Sequence, residues 1–502
     1  MTTPTTFEQW QTLAKNLQPE TRAFINGEYQ SAQSEKTFTR ISPIDNQPLA
    51  EVARCDKADI DAAVACARKA FDQGVWKNQE PSERKQVLLR WAELIRENVQ
   101  TLALLETLEV GKPIGDTQAV DVPGCANAIS YYAEFADKLY DEIAPTGPHD
   151  QALIKRMPLG VIGAIVPWNY PLIIAGWKIG PALVLGNSVV LKPAEQSSLA
   201  SIHLAKLAKE AGIPDGVFNV VPGLGEEAGK ALSEHDDVDL IAFTGSTSVG
   251  RLIMETAAKT NLKRVALELG GKSPQIVMDD CDDLDAAASA IAWGIFYNAG
   301  QTCHAGSRLI VHKNIAQTLY EKVVEVANSL KQGHPLDPTT QIGVMVEAEH
   351  KAKVLEYIAL GTQEGATLTL DGRQPDIDGA ASDHGFIGPT LLTNASPDAR
   401  ISKEEIFGPV LVTTEIESEE EAIAIANDTD FGLAAAVWTS NIKCAHRMSE
   451  ALRAGTVWIN TYDRASMATP FGGFQQSGFG RDRSIHALDK YADLKTVWTH
   501  FG

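Results

Sequence analysis

Val161-Ile162-Gly163-Ala164-Ile165-Val166 is the run on which the reading of the fold turns, because it is the first of a series. Short β-branched runs start again near Ser188, Val217, Leu240 and Arg264, each separated from the last by about a helix and its turns. That spacing predicts a parallel α/β sheet. The segments 197–211, 226–232 and 247–258 look helical, and Gly212, Gly225 and Gly245 punctuate their borders. A doubly wound nucleotide-binding domain follows, with its ligand at the carboxyl ends of the strands.

Upstream, residues 57–73 and 81–110 carry apolar residues at helical spacing, among them Val87, Leu88, Trp91, Leu94 and Ile95. A hairpin precedes them at Phe24-Ile25-Asn26-Gly27-Glu28-Tyr29, since Asn-Gly supplies the two positive φ angles of a type I′ turn. Downstream of Gly271 a second α/β region is expected, with a strand at 275–278, a helix at 284–297, a strand at 308–312 and a helix at 315–330. Residues 371–389 are rich in Gly, Asp and Pro and read as loop, and 492–499 as an exposed strand. No internal repeat or low-complexity tract interrupts this order.

Composition narrows the class of protein. The chain has 502 residues, 44% hydrophobic and 22% charged, enough for two or three globular domains. Its 44 basic and 65 acidic residues give a net charge of −21, which repels phosphate backbones and anionic headgroups, so neither nucleic acid nor membrane is an expected partner. Cys55, Cys66, Cys125, Cys281, Cys303 and Cys444 show no pairing pattern and read as free thiols of a cytoplasmic protein. The start of the chain lacks the basic and apolar runs of a signal peptide, and Pro167, Asn169 and Pro171 break its most apolar stretch. The 11 histidines form no HExxH-type spacing, so no metal is expected.

Two segments carry candidate chemistry. Phe296-Tyr297-Asn298-Ala299-Gly300-Gln301-Thr302-Cys303-His304-Ala305-Gly306 sets one cysteine at a Gly-bounded break between helices, where N–H groups at a helix start would favour a thiolate. Alone, such a residue is more often a packing thiol than a nucleophile. Leu267-Glu268-Leu269-Gly270-Gly271-Lys272-Ser273-Pro274 puts a carboxylate at the end of the fifth strand, beside glycines that permit close approach of a ligand. Glu268 taken alone is as readily a salt-bridged strand end.

Together with Pro167-Trp168-Asn169-Tyr170-Pro171 and Glu404-Glu405-Ile406-Phe407-Gly408-Pro409-Val410, these motifs resemble the aldehyde dehydrogenase superfamily, in its order and over nearly the whole chain. The resemblance implies two doubly wound parallel-sheet domains plus a small β oligomerisation element. It divides the chain into an NAD-binding domain (1–139 and 159–269), a catalytic domain (270–481) and an oligomerisation element (140–158 and 482–502), whose strands would pair across a homodimer or homotetramer. It implies Cys303 as nucleophile toward an aldehyde, Asn169 as oxyanion donor, and Glu268 as the base that activates water against the thioester. NAD is the implied cofactor, with Lys192 and Glu195 at the adenosine ribose, Gly245 and Ser246 near the phosphates, and Gly225 and Gly229 also among its binding residues. Glu405, Phe407, Val166 and Trp168 would complete its site. A carboxylate at Glu195 would repel a 2′-phosphate, which favours NAD over NADP.

Within that family the chain is similar to the γ-glutamyl-γ-aminobutyraldehyde and other aminoaldehyde dehydrogenases of polyamine catabolism. This implies a substrate channel near Asp121, Tyr170, Trp177, Phe296 and Tyr462, where aromatic faces and a carboxylate would suit an ammonium or guanidinium. The sequence departs from that group at Thr461, Arg464 and Ala465, and an arginine there would suit a carboxylate-bearing substrate or face solvent. The alternatives are a broad aliphatic or betaine aldehyde dehydrogenase, and a thiol acyltransferase or hydrolase using Cys303.

Overall fold

A computed structural model of the chain describes residues 4–375, 377 and 385–502. The five runs form the parallel strands Val161–Ile165, Ser188–Lys192, Phe218–Val220, Leu240–Thr244 and Arg264–Glu268. In space their order is third, second, first, fourth, fifth. The direction of winding therefore reverses between the first strand and the fourth, which opens a crevice at their carboxyl ends. The expected hairpin, Ala23–Ile25 with Glu28–Gln30, extends one edge, its turn carried by Asn26 at φ 53° and Gly27 at φ 80°. Gly478–Phe479 closes the other edge antiparallel to Leu267 and Glu268.

A second sheet of seven strands holds Pro274–Val277 beside Arg308–His312, as the later sequence predicts, together with Val410–Ile416 and Ala434–Trp438. All its neighbours are parallel except Thr367–Leu370 at one edge. Buried alanine, valine and isoleucine on the helices Leu284–Phe296 and Ala316–Ser329 cover one face. No helix among the described residues is long and apolar enough to cross a membrane.

Local departures from the expected elements have local causes. The 81–110 segment divides into Pro81–Glu97 and Val99–Val110, because Asn98 turns its Nδ2 back to Leu94 O at 2.8 Å and interrupts the ladder. The helix expected at 226–232 begins as a wider π-type turn, Gly225–Gly229, and continues as Lys230–Glu234. Of the 371–389 loop, residues 376 and 378–384 lie outside the described residues; the rest is irregular.

Ala492–His500, Asp150–Pro158 and Glu142–Ala144 pair with one another inside the chain as a three-stranded antiparallel sheet. Residues 482–491 pack beside the first sheet: Ala487, Leu488 and Tyr491 join the core there, and Asp482 pairs with Lys178.

One helix does most to position the site. Pro171–Val184 is apolar all round and lies buried against Val122–Ala133. Its backbone comes so close that a Cβ on Gly176 would sit 3.1 Å from the backbone of Cys125. Adding that methyl would cost about 1–3 kcal/mol of overpacking. The close contact fixes Tyr170 and Trp177 on one side of the crevice and Lys178 below it.

Candidate active site

Two cavities open at the crevice and meet at one thiol. The first, about 210 Å³, is lined by Pro167, Trp168, Gly245, Ser246, Glu405 and Phe407. The second, about 240 Å³, is walled by Tyr170, Trp177, Trp458, Phe471, Asp463 and Arg483. Both reach Cys303 and Glu268. A third, about 320 Å³, shares Val120, Tyr297 and Asp463 with the second and carries it outward past Tyr462 and Asp116.

The chain around Cys303 is held in backbone conformations that most residues avoid. Asn298 and Ala299 take left-handed angles (φ 51° and 52°), as do Phe407, Asp463 and Arg483 elsewhere on the cavity walls. Each such residue costs of order 1–3 kcal/mol and persists only where packing imposes it. No helix starts at Cys303, contrary to the sequence reading: a tight turn at Tyr297–Gly300 leads into further turns and then the strand Arg308–His312. The thiol thus lacks helix-end stabilisation as an anion. Burial pushes it well above its usual range, and the charges of Glu268 and Glu405 add to that.

Glu268 closes the fifth strand with its side chain buried against Cys303. Burial, then the charge of Asp482, raises its carboxyl to about 8, and Lys178 only partly offsets them. Beneath it Lys178 lies 3.3 Å from Asp482, which also pairs with Lys490. Burial alone would raise the Asp482 carboxyl, but these two ammonium groups outweigh it and hold it below the usual range. Asn169 gives one Nδ2 hydrogen to Gln301 O at 3.0 Å, which anchors the amide and leaves its second N–H for the cavity it lines.

The residues expected to hold a dinucleotide fall into two groups. Lys192 ends the second strand and reaches Glu195 Oε2 at 3.1 Å, with Gly225 and Gly229 opposite. Gly245 and Ser246 lead into the helix Thr247–Lys259, where Ser246 Oγ accepts the Val249 N–H at 3.4 Å. Glu405 accepts the Gly271 N–H at 3.0 Å and is raised to about 7 by burial. Trp168 and Phe407 stack edge to face at 5.4 Å, with the His350 ring against both. Val166 does not face the cavity: its side chain is core, and its N–H donates to Lys192 O at 3.2 Å.

On the other side, Tyr170, Trp177 and Tyr462 are wall residues. The Tyr170 hydroxyl bonds Thr302 Oγ1 at 3.0 Å, and the Tyr462 hydroxyl donates to His304 O at 2.6 Å. Phe296 is not a wall residue: as the last residue of its helix it points into the second core, and Tyr297, one step round, lines the cavity. Asp121 is also displaced from its expected place. It is fully buried behind Tyr170 with its Oδ1 2.5 Å from Lys112 Nζ, and it does not line the cavity.

The polar groups that do face this cavity are His304, Asp463 and Arg483, which sequence reading left unassigned. Arg483 stacks between Trp177 and Phe471, 5.1 and 4.8 Å from their ring centres. Arg464 is exposed and off the cavity wall. The one usable signal was the adjacency of His304 to Cys303; Asp463 and Arg483 arrive only by folding.

Comparison with known proteins gives a uniform result. The model of the aldehyde dehydrogenase family matches residues 29–497. The NADP/NAD-dependent aldehyde dehydrogenase PuuC of Escherichia coli is 51% identical over 489 residues, covering 97% of each chain. A crystal structure of γ-glutamyl-γ-aminobutyraldehyde dehydrogenase from Burkholderia cenocepacia superposes with a TM-score of 0.96 at 53% identity, covering 99% of this chain and 100% of the other. The indole-3-acetaldehyde dehydrogenase AldA of P. syringae, in complex with NAD+ and IAA, superposes at 0.97 with 50% identity and the same coverage.

Proposed function

This chain belongs to the aldehyde dehydrogenase family, and from that premise we propose that it oxidises an aldehyde bearing charged groups at its far end to the carboxylic acid, with NAD as oxidant. The observation that carries the substrate class is that Arg483 and Asp463 share one cavity wall with Cys303. A guanidinium there suits a substrate carboxylate, and Asp463 with Asp116 suits an ammonium, so a γ-glutamylamino aldehyde meets both. The homologues named above, one called a γ-glutamyl-γ-aminobutyraldehyde dehydrogenase, support that choice.

The roles follow the geometry. Cys303 attacks the aldehyde carbon from between the two cavities, and Asn169 holds the oxygen through its free amide N–H. Bound in the first cavity, NAD supplies the hydride acceptor. Glu268 then takes a proton from the water that hydrolyses the Cys303 thioester, and its burial suits it to hold one near neutrality.

The residues present fit a dinucleotide. Thr244 Oγ1 and Glu268 Oε1 are buried at that cavity without hydrogen-bond partners. A Cβ on Gly225 or Gly229 would meet nothing closer than 3.9 Å beside the Lys192–Glu195 pair, so the ground where a ribose would lie is open. Lys192 and Glu195 would hold its hydroxyls, Ser246 and the helix start behind it the phosphates, and Glu405 and Phe407 the nicotinamide end.

We further read the first and second sheets as dinucleotide and catalytic domains, and the three-stranded sheet as a homo-oligomerisation element. Tyr140, Ile143, Leu494 and Trp498 leave at least half their surface exposed there, a patch that suits a second copy. The six unpaired cysteines suit a cytoplasmic setting.

A panel of aldehydes of equal length tests the substrate class. A γ-glutamylated aminoaldehyde should exceed a plain aliphatic one by about tenfold or more in kcat/KM, about 1.4 kcal/mol in the transition state, and Arg483→Gln should erase most of that margin. Equal efficiency for the plain aldehyde would overturn it.

A further inference from the structure

Cys303 and His304 are consecutive, yet their side chains turn toward each other. Cys303 Sγ lies 3.8 Å from His304 Nδ1, and His304 Nε2 lies 2.8 Å from Asp463 Oδ1. Thiol, imidazole and carboxylate form one line along the second cavity, which all three reach. The imidazole is held in place: the His304 carbonyl accepts the Tyr462 hydroxyl, and the ring packs on Phe471 and Trp458 at 5.5 and 6.2 Å.

The chemistry calls for such a partner. The thiol is pushed up by its burial and by two neighbouring carboxyl groups, so it ionises poorly alone. Glu268, mostly protonated below about pH 8, is largely occupied at neutral pH and so seldom free to take that proton, and it is needed later for water. An imidazole whose far nitrogen is bound to a carboxylate is oriented with its near nitrogen open and is stabilised when it gains a proton.

We propose that His304 is the base that deprotonates Cys303 and that Asp463 is its positioning residue, a step that rests on Cys303 being the nucleophile. The S–H bond breaks, the proton passes to the lone pair of His304 Nδ1, and the sulfur keeps the electron pair with which it bonds the aldehyde carbon. The Nε2–H stays donated to Asp463, so the imidazolium lies between a thiolate and a carboxylate. The proton then leaves to solvent through the cavity, where the His304 side chain is 16% exposed. Six titratable or charged groups share the wall with the imidazole, among them Tyr297, whose hydroxyl burial pushes up and keeps neutral. Cys303, Glu268 and Asp463 favour its protonated form when ionised, Arg483 opposes it, and Tyr170 stays neutral because burial pushes its hydroxyl up.

Alkylation by iodoacetamide, followed at the Cys303 peptide by mass spectrometry from about pH 6 to about pH 10 in the full-length enzyme, reads the thiolate directly. His304→Gln and His304→Ala should each slow it about tenfold or more at neutral pH, move the profile upward, and regain the wild-type rate at the alkaline end. Asp463→Asn should do the same to a smaller degree. Profiles of both His304 variants that superimpose on the wild type would overturn the proposal, as would an equal loss at every pH, which marks damage to packing alone. If Cys303 is not the nucleophile, the failure shows elsewhere: NADH formation survives complete alkylation of that residue.

Discussion

Ionisable groups cluster on both sides of Tyr170, and each cluster contains a glutamate and an aspartate. Behind the ring, Lys112 reaches Asp121 at 2.5 Å and Glu106 at 3.7 Å, with none of the three side chains exposed, and its ammonium sits 3.8 Å from the Tyr170 ring centre. In front of it, Cys303, Glu268, His304 and Asp463 face open cavities. Burial raises a glutamate in each group: Glu106 well above the usual range, with Asp121 adding to the effect, and Glu268 to about 8. Burial and the neighbouring Asp121 favour the protonated form of Glu106, and the first group is sealed beside the Lys112–Asp121 ion pair. Both groups keep carboxyl oxygens without partners, on Glu106 and Asp121 in the first and on Glu268 in the second, but of these Glu268 is the one that lines the cavities. A displaced titration therefore does not by itself mark a site; access to the displaced group does.

The sharpest way to break this contrast is Cys303→Ala. NADH formation with any aldehyde should fall by about 10³-fold or more, while the unfolding midpoint and calorimetric NAD binding stay near wild type. Substantial residual turnover would remove the open group from the chemistry. Glu268→Gln should release about one equivalent of NADH per site and then slow about 10²- to 10⁴-fold, because hydride transfer precedes the step that needs the base. With Glu268 as the proposed base, the carboxylate would be the working form and its population grows with pH, so the steady-state rate should climb through about pH 8. A flat profile across that window would show that another group serves.

The sealed group should answer in stability instead. Lys112→Met strands Asp121 beside Glu106 and should cost about 3–5 kcal/mol in denaturant unfolding, with kcat/KM of the still-folded enzyme within about threefold of wild type. A large loss of kcat/KM at intact stability would place this group in the function. The smallest effect is expected at Lys192–Glu195, which is neither sealed nor at the thiol. Glu195→Gln should raise the kcat/KM for NADP relative to NAD several-fold, since the carboxylate that repels a 2′-phosphate is gone while Lys192 remains. An unmoved ratio would mean that Glu195 does not face the ribose.

Asp121 and Phe296 show where reading the chain in one dimension stops. Both stand one residue from a cavity-lining neighbour, Val120 and Tyr297. On a helix one residue is about 100° of rotation, enough to exchange a wall for a core. The distinction depends on the wider π-type turn at Thr117–Asp121 and on the helix end at Phe296, and neither leaves a mark in local composition. The thiol's setting was likewise misjudged, since a glycine on each side of Cys303 signals a break without saying whether a helix follows.

The sheet strands, by contrast, were legible because a strand buried on both faces must be a short β-branched run, and crossovers must separate parallel neighbours. Cys303, Glu268, Asn169 and the ends of the first, second and fourth strands were legible because each sits inside a contiguous motif. His304, Asp463 and Arg483 were not, since 159 residues separate His304 from the carboxylate it bonds. The chain determined by its own local pattern which residues form strands and which motifs flank them. Only the packed structure decided which side chains meet at the thiol and which carboxylates are sealed, because contact and exposure belong to the neighbours that folding brings and not to the residue itself.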